Sequence, residues 1–225
     1  MDDSDRVLAD LLRGTDDHAL LTVLAGILLD LRDNEFHPSS GTLTEVSARL
    51  SPGVDDELRY AQLTASSAWF FSLIGDRLVA AVRFAQDFIL GDAPFYQLSS
   101  FGGLLPFDGP GGESSVRGVL LQRFYGRIKT LGNLELRSEL LPFRVGSQHF
   151  VVGAIAFADA GRVWADTRER TVDGRRLDGS FDDFATGVGG GLRLRWGDTF
   201  IIRSDLGYSP SEETIGFYLT INHVF

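Results

Sequence analysis

The chain has 225 residues, 44% of them hydrophobic, carries a net charge of −10 at pH 7 and contains no cysteine. This length suffices for one sizeable domain or two small ones, and a chain without cysteine is compatible with any compartment. Because basic and acidic residues are interspersed, whereas phosphate binding needs clustered Lys and Arg, we exclude a nucleic-acid partner. The longest apolar run, residues 19–29, is too short to cross a bilayer as a helix.

Residues 1–18 are predicted to be an acidic tail or helix without the features of a signal peptide, and residues 19–225 to be one domain. Alternation of apolar and polar residues predicts nine strands in that domain. Since bacterial single-chain barrels have even strand counts, we expect eight strands from residue 42 onward. Segment 19–31 is then an extra strand at the seam, a short periplasmic or interfacial helix, or a contact with another chain. The predicted strands are 19–31, 42–50, 58–73, 77–90, 131–143, 148–160, 184–196, 199–208 and 215–225.

The predicted strands each have one strongly charged face, as in "GNLELRSELL", where Glu135 and Arg137 oppose Leu134 and Leu136. A soluble β-sandwich would turn such charges to water, whereas a transmembrane barrel turns its apolar face to lipid. Strands of about ten residues, aromatics near strand ends and alternation of short and long connections favour the barrel. The sequence therefore predicts an all-β fold, a small antiparallel transmembrane β-barrel of about eight strands, with one or two more allowed.

Four stretches stand out in chain order: "LDLRDNEFHPSSG" (29–41), 95–118, "SELLP" (138–142) and "FADAG" (157–161). Together they resemble motifs of the BamA/TamA-type bacterial surface antigen superfamily of outer-membrane assembly factors. "FYQLSSFGG" to "SSVRG" (95–118) resembles its long sixth extracellular loop, although the hallmark Val-Arg-Gly-aromatic here reads Val116, Arg117, Gly118, Val119. The loop also carries an insertion, "LLPFDGPGGE". "SELLP", "FADAG" and "LDLRDNEFHPSSG" are similar to other family motifs, and the resemblance extends from about residue 19 to the terminal phenylalanine. It covers only the C-terminal half of the family barrel, without POTRA domains.

The resemblance implies a latch in which the extracellular loop folds inward. Arg117, flanked by Val116 and Gly118, would pair with Asp159 and Glu139 on the inner wall. A guanidinium fork suits carboxylates bidentately, and such a pair is costly to leave half made. In the alternative, Arg117 lies in a mobile loop and the carboxylates pair with Arg137, Arg193 and Arg195 across neighbouring strands. The remaining wall residues singled out are Gly161, Gly189, Gly191 and Arg193.

The glycine face of "GVGGG" is either a wall kept bare for close approach of the loop backbone or a place where a small barrel bends. The last segment, "GFYLTINHVF", is similar to the C-terminal signal that the outer-membrane assembly machinery reads in relatives. An unsatisfied strand edge there offers backbone hydrogen bonds for β-augmentation, and alternate apolar side chains fix register. The signal residues are Phe217, Leu219, Ile221 and Phe225.

Taken together, the resemblance implies an integral outer-membrane barrel of a Gram-negative-type bacterium. It would act in outer-membrane protein insertion or translocation, or as the membrane-embedded subunit of a larger complex. Its expected partners are the lipid bilayer, the assembly machinery during biogenesis, and a homo-oligomer or larger complex. Four scattered histidines and no cysteine give no catalytic residue, metal site or cofactor, so no enzyme is predicted. Two alternatives are an outer-membrane barrel enzyme acting on lipid or peptide and a soluble β-sandwich binding module.

Overall fold

A nine-stranded antiparallel sheet forms the molecule in the computed structural model, which describes residues 12–54, 58–166, 171–172, 175–176, 178 and 182–225. Within these described residues, thirteen strands follow one another along the chain, and a 3-10 turn lies at Phe95–Gln97. The main sheet has the order β1-β2-β3-β4-β7-β8-β11-β12-β13. The strands are β1 (Val23–Asp30), β2 (Gly41–Ser51), β3 (Tyr60–Ser72), β4 (Leu78–Gly91), β5 (Ser100–Phe101), β6 (Phe107–Asp108), β7 (Ile128–Val145), β8 (Gln148–Trp164), β9 (Thr171–Val172), β10 (Arg175–Arg176), β11 (Ala185–Trp196), β12 (Phe200–Ser209) and β13 (Thr214–Ile221).

The predicted all-β class and antiparallel sheet are confirmed. The main sheet has nine strands, within the predicted range of about eight with one or two more allowed. Segment 19–31 forms an edge strand: β1 pairs with β2 from Val23 opposite Leu50 to Asp30 opposite Leu43. The predicted tail falls mostly outside the described residues, and residues 12–22 form turns and extended chain before β1. Within the described ranges, no helix is long and apolar enough to cross a membrane.

Polar side chains face the inside of the curved sheet and apolar ones face outward, as β12 illustrates. Arg203 and Asp205 are buried, at 3% and 0% exposure, whereas Leu206 on the same strand is 57% exposed. Outward-facing Leu134, on β7, and Phe217, on β13, follow the same rule. A soluble sandwich buries its leucines and exposes its charges, so this inverted arrangement fits a wall surrounded by lipid.

The connections differ in length at the two ends of the sheet. At one end lie 31–40, 73–77, 146–147 and 197–199; at the other lie 52–59, 92–127, 165–184 and 210–213. Segment 92–127 carries β5 and β6, which pair with each other, and it turns into the concave side of the sheet. Both connections of more than ten residues, 92–127 and 165–184, lie at the second end, as the long loops of an outer-membrane barrel lie at its extracellular end.

The two edges of the main sheet are β1 and β13. All eight pairings between neighbouring strands are antiparallel, so the first and ninth strands run in the same direction. In the part of the chain that the structure describes, no hydrogen-bonded pairing joins β1 to β13. The sheet is therefore a curved wall with two edges.

The prediction of a strand over 215–225 is wrong in its last four residues. β13 ends at Ile221, and Asn222 adopts φ 66°, a left-handed conformation that Asn tolerates. The Asn222 N–H donates to the Ile201 carbonyl at 2.8 Å, which turns the chain inward. Phe225 consequently lies inside the curved sheet, 6.3 Å from the ring of Phe70, and not on the outer face with Phe217.

Candidate functional site

Arg117 is fully buried at the centre of the inner wall, surrounded by three carboxylates. Its Nε and Nη2 atoms bond the two oxygens of Asp159 at 2.8 and 2.9 Å, and its backbone N–H bonds the same carboxylate at 3.1 Å. Nη1 contacts Glu135 at 2.6 Å and Asp205 at 3.3 Å. The guanidinium also stacks on the ring of Phe157, 3.5 Å from its centroid. Carboxylates from β7, β8 and β12 thus hold one loop side chain.

The charge of Arg117 is stabilised by this arrangement. Burial lowers the pKa of Arg117, but the hydrogen bonds to Asp159 and the charges of Glu135, Asp159 and Asp205 outweigh it and raise the pKa above its ordinary value. The bidentate bond to Asp159 is the geometry that guanidinium and carboxylate favour. Arg117 therefore remains a cation, and removing it would leave buried carboxylates without their partner.

The structure places Glu139 differently from the predicted partnership with Arg117. Glu139 lies four residues beyond Glu135 on β7 and bonds Arg195 at 2.7 Å, and Glu135 contacts Arg117 in its place. Both carboxylates occupy the inner face, because their spacing is even. How far the loop reaches into the interior of the curved sheet decides which of the two carboxylates contacts Arg117.

Of the two carboxylates in the alternative prediction, Glu139 pairs with Arg195 and Asp159 with Arg117, and the other two wall arginines pair with different carboxylates. Arg137 bonds Glu135 at 2.8 Å, and Arg193 bonds Asp205 at 2.5 Å. Glu135 and Asp205 therefore each bind an arginine of the wall as well as Arg117. The inner wall and the loop tip therefore share one charge network.

Glycines of the inner wall leave space where the loop tip lies. A Cβ atom at Gly187 would clash with the Arg117 carbonyl oxygen, and one at Gly207 would lie 2.8 Å from the Gly118 nitrogen. At Gly161 a Cβ atom would lie 2.8 Å from a Val116 methyl group. Gly187 belongs to the glycine face of "GVGGG", whereas Gly207 was not singled out from the sequence.

The other two predicted glycines border different groups. A Cβ atom at Gly189 would meet the ring of Phe157 and the Leu206 carbonyl, and one at Gly191 would meet the carboxylate of Asp205. They make room for groups that contact Arg117 and not for the loop backbone itself. Replacing either would push a partner of the guanidinium out of position.

The loop tip is also bonded to the last strand. The N–H of Gly118 donates to the Tyr218 hydroxyl at 2.9 Å, and the hydroxyl of Thr214 donates to the Gly118 carbonyl at 2.6 Å. Gly118 has φ +97°, and a Cβ atom there would lie 2.7 Å from the Ser209 nitrogen. Val116 beside Arg117 is fully buried in an apolar cluster with Phe101 and neighbouring residues. The Val-Arg-Gly segment thus contacts both the apolar core and β13.

The predicted C-terminal signal residues divide into two groups. Phe217, Leu219 and Ile221 on β13 point outward and are 67%, 66% and 61% exposed. Phe225 points inward, with the guanidinium of Arg83 4.8 Å from its ring centroid and that of Arg137 at 5.1 Å. The outward three form an apolar stripe along an edge strand, and the fourth packs within the wall.

The hairpin between β1 and β2 is held by its own polar side chains. Asp33 accepts the Ser39 and Ser40 N–H groups at 2.9 and 3.1 Å, and Asn34 accepts the Phe36 N–H at 2.8 Å. Burial raises the pKa of Asp33, but the hydrogen bonds from Ser39 and Ser40 lower it by more, so its pKa lies below the usual value. The motif "LDLRDNEFHPSSG" therefore specifies a fixed turn.

A cavity of about 420 Å³ lies between this hairpin and the charged wall. Its lining residues include His37, Glu139, Arg193 and His223. Two of its carboxylates are engaged: Glu139 with Arg195 and Asp33 with the hairpin. Within the described residues, no three His, Cys, Asp or Glu side chains are grouped so as to hold a metal ion.

Several site residues were not singled out from the sequence. Glu135 and Asp205 lie on predicted polar faces, so their inward direction was visible, but their proximity to Arg117 was not. Asn133 donates to Asp159 at 2.7 Å and to the Ser115 carbonyl at 2.6 Å. Tyr218 lies in the last strand on the face opposite Phe217. Strand alternation identifies such candidates, and only the register selects among them.

An antiparallel wall with an apolar outer face, a charged inner face and an inward loop defines a protein of the transmembrane β-barrel class. The model of the Omp85 superfamily domain matches residues 2–225, so the chain belongs to the Omp85 superfamily. Among the solved structures that match is the crystal structure of BamA from Haemophilus ducreyi lacking POTRA domains 1–3. The identity is 15% and the TM-score 0.66.

The match to that BamA structure covers 97% of this chain and 47% of the BamA chain, so the chain spans about half the length of that protein. A search of curated proteins finds no match. The predicted resemblance to the BamA-type family and to the C-terminal part of its barrel is confirmed. At this identity the similarity establishes the fold, whereas the activity of the whole relative is a matter for proposal.

Proposed function

We propose that this chain is an integral outer-membrane protein that acts in the insertion or translocation of outer-membrane proteins. The observation that carries the proposal is the edge strand β13, which is paired on one side with β12 and bonded on its inner face to the loop tip. Backbone groups left unpaired in hydrocarbon cost several kcal/mol each, on the order of a lost hydrogen bond or more. Such an edge is a template to which an incoming strand can add.

The apolar stripe on β13 supports the same role. Phe217, Leu219 and Ile221 alternate on the outer face of the edge and would lie beside the outward residues of an added strand. Cross-strand pairs of this kind stabilise a sheet by roughly 0.2–1 kcal/mol each. The backbone edge would supply affinity, and the alternating side chains would supply register.

The test uses single cysteines, which the natural chain lacks. One variant carries Leu219→Cys on β13, and its matched control carries Ala158→Cys, an outward-facing position on β8, which is paired on both sides. Each is reconstituted in lipid vesicles with an unfolded eight-stranded outer-membrane barrel that has one cysteine in its last strand. Cross-linking at Leu219→Cys that exceeds the control at least fivefold is the expected result. Equal yields at the two positions would exclude edge pairing.

The membrane location has its own test. Fractionation of cells should recover the chain in the outer membrane, with faster migration on an unboiled gel than on a boiled one. A protein that is soluble without detergent would contradict the location and the insertion role together.

A second role, as the membrane-embedded subunit of a larger complex, is favoured by the two unpaired edges. Within the described part of the chain each edge strand has a partner on one side, so both are available to further strands. Chemical cross-linking in intact membranes would distinguish the roles. A subunit would give one stoichiometric adduct, whereas an insertase would give a range of client adducts. Catalysis is not proposed, since Arg117 and the three carboxylates around it are paired with one another.

A further inference from the structure

The inserted segment of the loop meets the inner wall at a place distant in sequence from Arg117. The backbone N–H groups of Leu104 and Leu105 both donate to the carboxylate of Glu45 on β2, the second of them at 3.2 Å. Glu45 is 5% exposed. One carboxylate therefore holds two successive amides of the insertion, as an anion-binding backbone turn would hold a ligand.

Glu45 has no arginine or lysine within ion-pair distance among the residues that the structure describes. A buried carboxylate without a cation is costly unless hydrogen bonds satisfy it. Here the satisfying groups come from the loop. The buried carboxylate of Glu45 is therefore stabilised only when the inserted loop segment is docked against it.

Two glycines allow this close approach. Gly103 has φ +109°, and a Cβ atom there would lie 2.5 Å from an oxygen of Glu45. A Cβ atom at Gly102 would lie 2.6 Å from the Gln62 amide carbon, and the Gly102 N–H donates to Asp87 at 3.1 Å. Side chains at either position would separate the loop from β2 and β3. The sequence "GGLL" is thus shaped to the wall at this point.

The two attachments of the loop lie near opposite edges of the sheet. Glu45 stands opposite Leu28 of β1 in the register of the first hairpin. Gly118, after Arg117, is bonded to Tyr218 on β13. Between these points the loop crosses the concave side and is bonded to the inner wall at Arg83, which donates to the Ser114 carbonyl at 2.5 Å.

We propose that Glu45 is a second latch, and that the loop is a strut that fixes the separation of β1 from β13. The charged fork of Arg117 secures the end near β13, and the Glu45 carboxylate secures the end near β1. This anchorage does not depend on the proposed role in inserting outer-membrane proteins, because it concerns the shape of the wall. It gives the extra loop segment "LLPFDGPGGE" a structural role that the family resemblance left unassigned.

The experiment measures the distance between the two edges. Spin labels are placed at Ile27→Cys on β1 and Phe217→Cys on β13, which are 77% and 67% exposed on the outer face. The distance between the two labels is measured in lipid nanodiscs by pulsed electron–electron double resonance. Amide hydrogen exchange of residues 102–105 is followed in the same variants without labels.

Glu45→Ala should raise exchange at Leu104 and Leu105 at least tenfold and broaden the distance distribution between the labels. Glu45→Gln, which keeps one oxygen acceptor, should give an intermediate effect and guards against a variant that fails to fold. The control is Ser47→Ala, the next inward position of β2, whose buried hydroxyl has no hydrogen-bond partner in the structure. It should change neither reading.

An unchanged label distance in Glu45→Ala would overturn the strut, even if exchange rises. Unchanged exchange at Leu104 and Leu105 would overturn the latch itself. Both readings are independent of client cross-linking at Leu219→Cys, so failure of this inference and failure of the insertion role are separate results.

Discussion

The Arg117 cluster gives the most demanding prediction, because its partners and their distances are known. Lysine keeps the charge at this position but presents it at one point, whereas the guanidinium bonds Asp159 at 2.8 and 2.9 Å and Glu135 at 2.6 Å simultaneously. Arg117→Lys should lose about two of these three contacts. At roughly 1.5 kcal/mol for a hydrogen bond to a charged group, we expect the unfolding free energy to fall by about 3 kcal/mol.

The matched control is Arg123→Ala, which removes the same residue type from the same loop. Arg123 is 51% exposed and pairs with Glu212 at 3.1 Å, so its loss should cost less than about 1 kcal/mol. Urea unfolding in lipid vesicles, followed by tryptophan fluorescence, measures both variants. Hydrogen exchange of residues 114–119 reports whether the loop tip has been released. If Arg117→Lys is no less stable than Arg123→Ala, the buried network does not hold the loop.

Three further changes test other parts of the structure. Gly187→Ala places a methyl group against the loop-tip carbonyl and should destabilise the protein by about 1–3 kcal/mol, whereas Gly132→Ala, with no atom within 4 Å of the added carbon, should be nearly neutral in the same urea assay. Leu134→Arg on the outer face should cost about 2–4 kcal/mol in bilayers if that face meets lipid near the midplane, and a neutral result would indicate that it faces water. Tyr218→Phe removes the acceptor of the Gly118 N–H and should speed exchange of that amide severalfold, by loss of about 1 kcal/mol; unchanged exchange would show that this bond does not secure the tip.

Strand positions were predictable because alternation is a local signal that every strand carries along its own length. The direction of the two faces was also predictable, since strands of this length with charges on one face fit a lipid-exposed wall. The pairing of Arg117 with Glu135, and not Glu139, was not predictable. Both carboxylates share a face, and their choice depends on sheet register and loop depth, which involve residues far apart in sequence.

The inward turn of the C-terminus shows how one residue can override a period-two pattern. Phe225 continues the odd-numbered apolar face of β13, and counting alone places it outside. Asn222 was a visible warning, since Asn is one of the few residues that adopt a left-handed conformation readily. Glu45 carried no warning, because its role depends on backbone amides of a loop sixty residues later in the chain.

The direction of the edge strands limits how the wall can be completed. Nine strands alternate in direction, so β1 and β13 point the same way. A second copy with the same orientation in the membrane would join β13 of one copy to β1 of the other in parallel, and every pairing seen in this sheet is antiparallel. A second copy adds nine strands, an odd number, but these complete an antiparallel barrel only if that copy is inverted across the membrane. We therefore expect no cross-link in native membranes between copies carrying Ile27→Cys and Phe217→Cys separately, and a strong one would contradict the antiparallel rule for this wall.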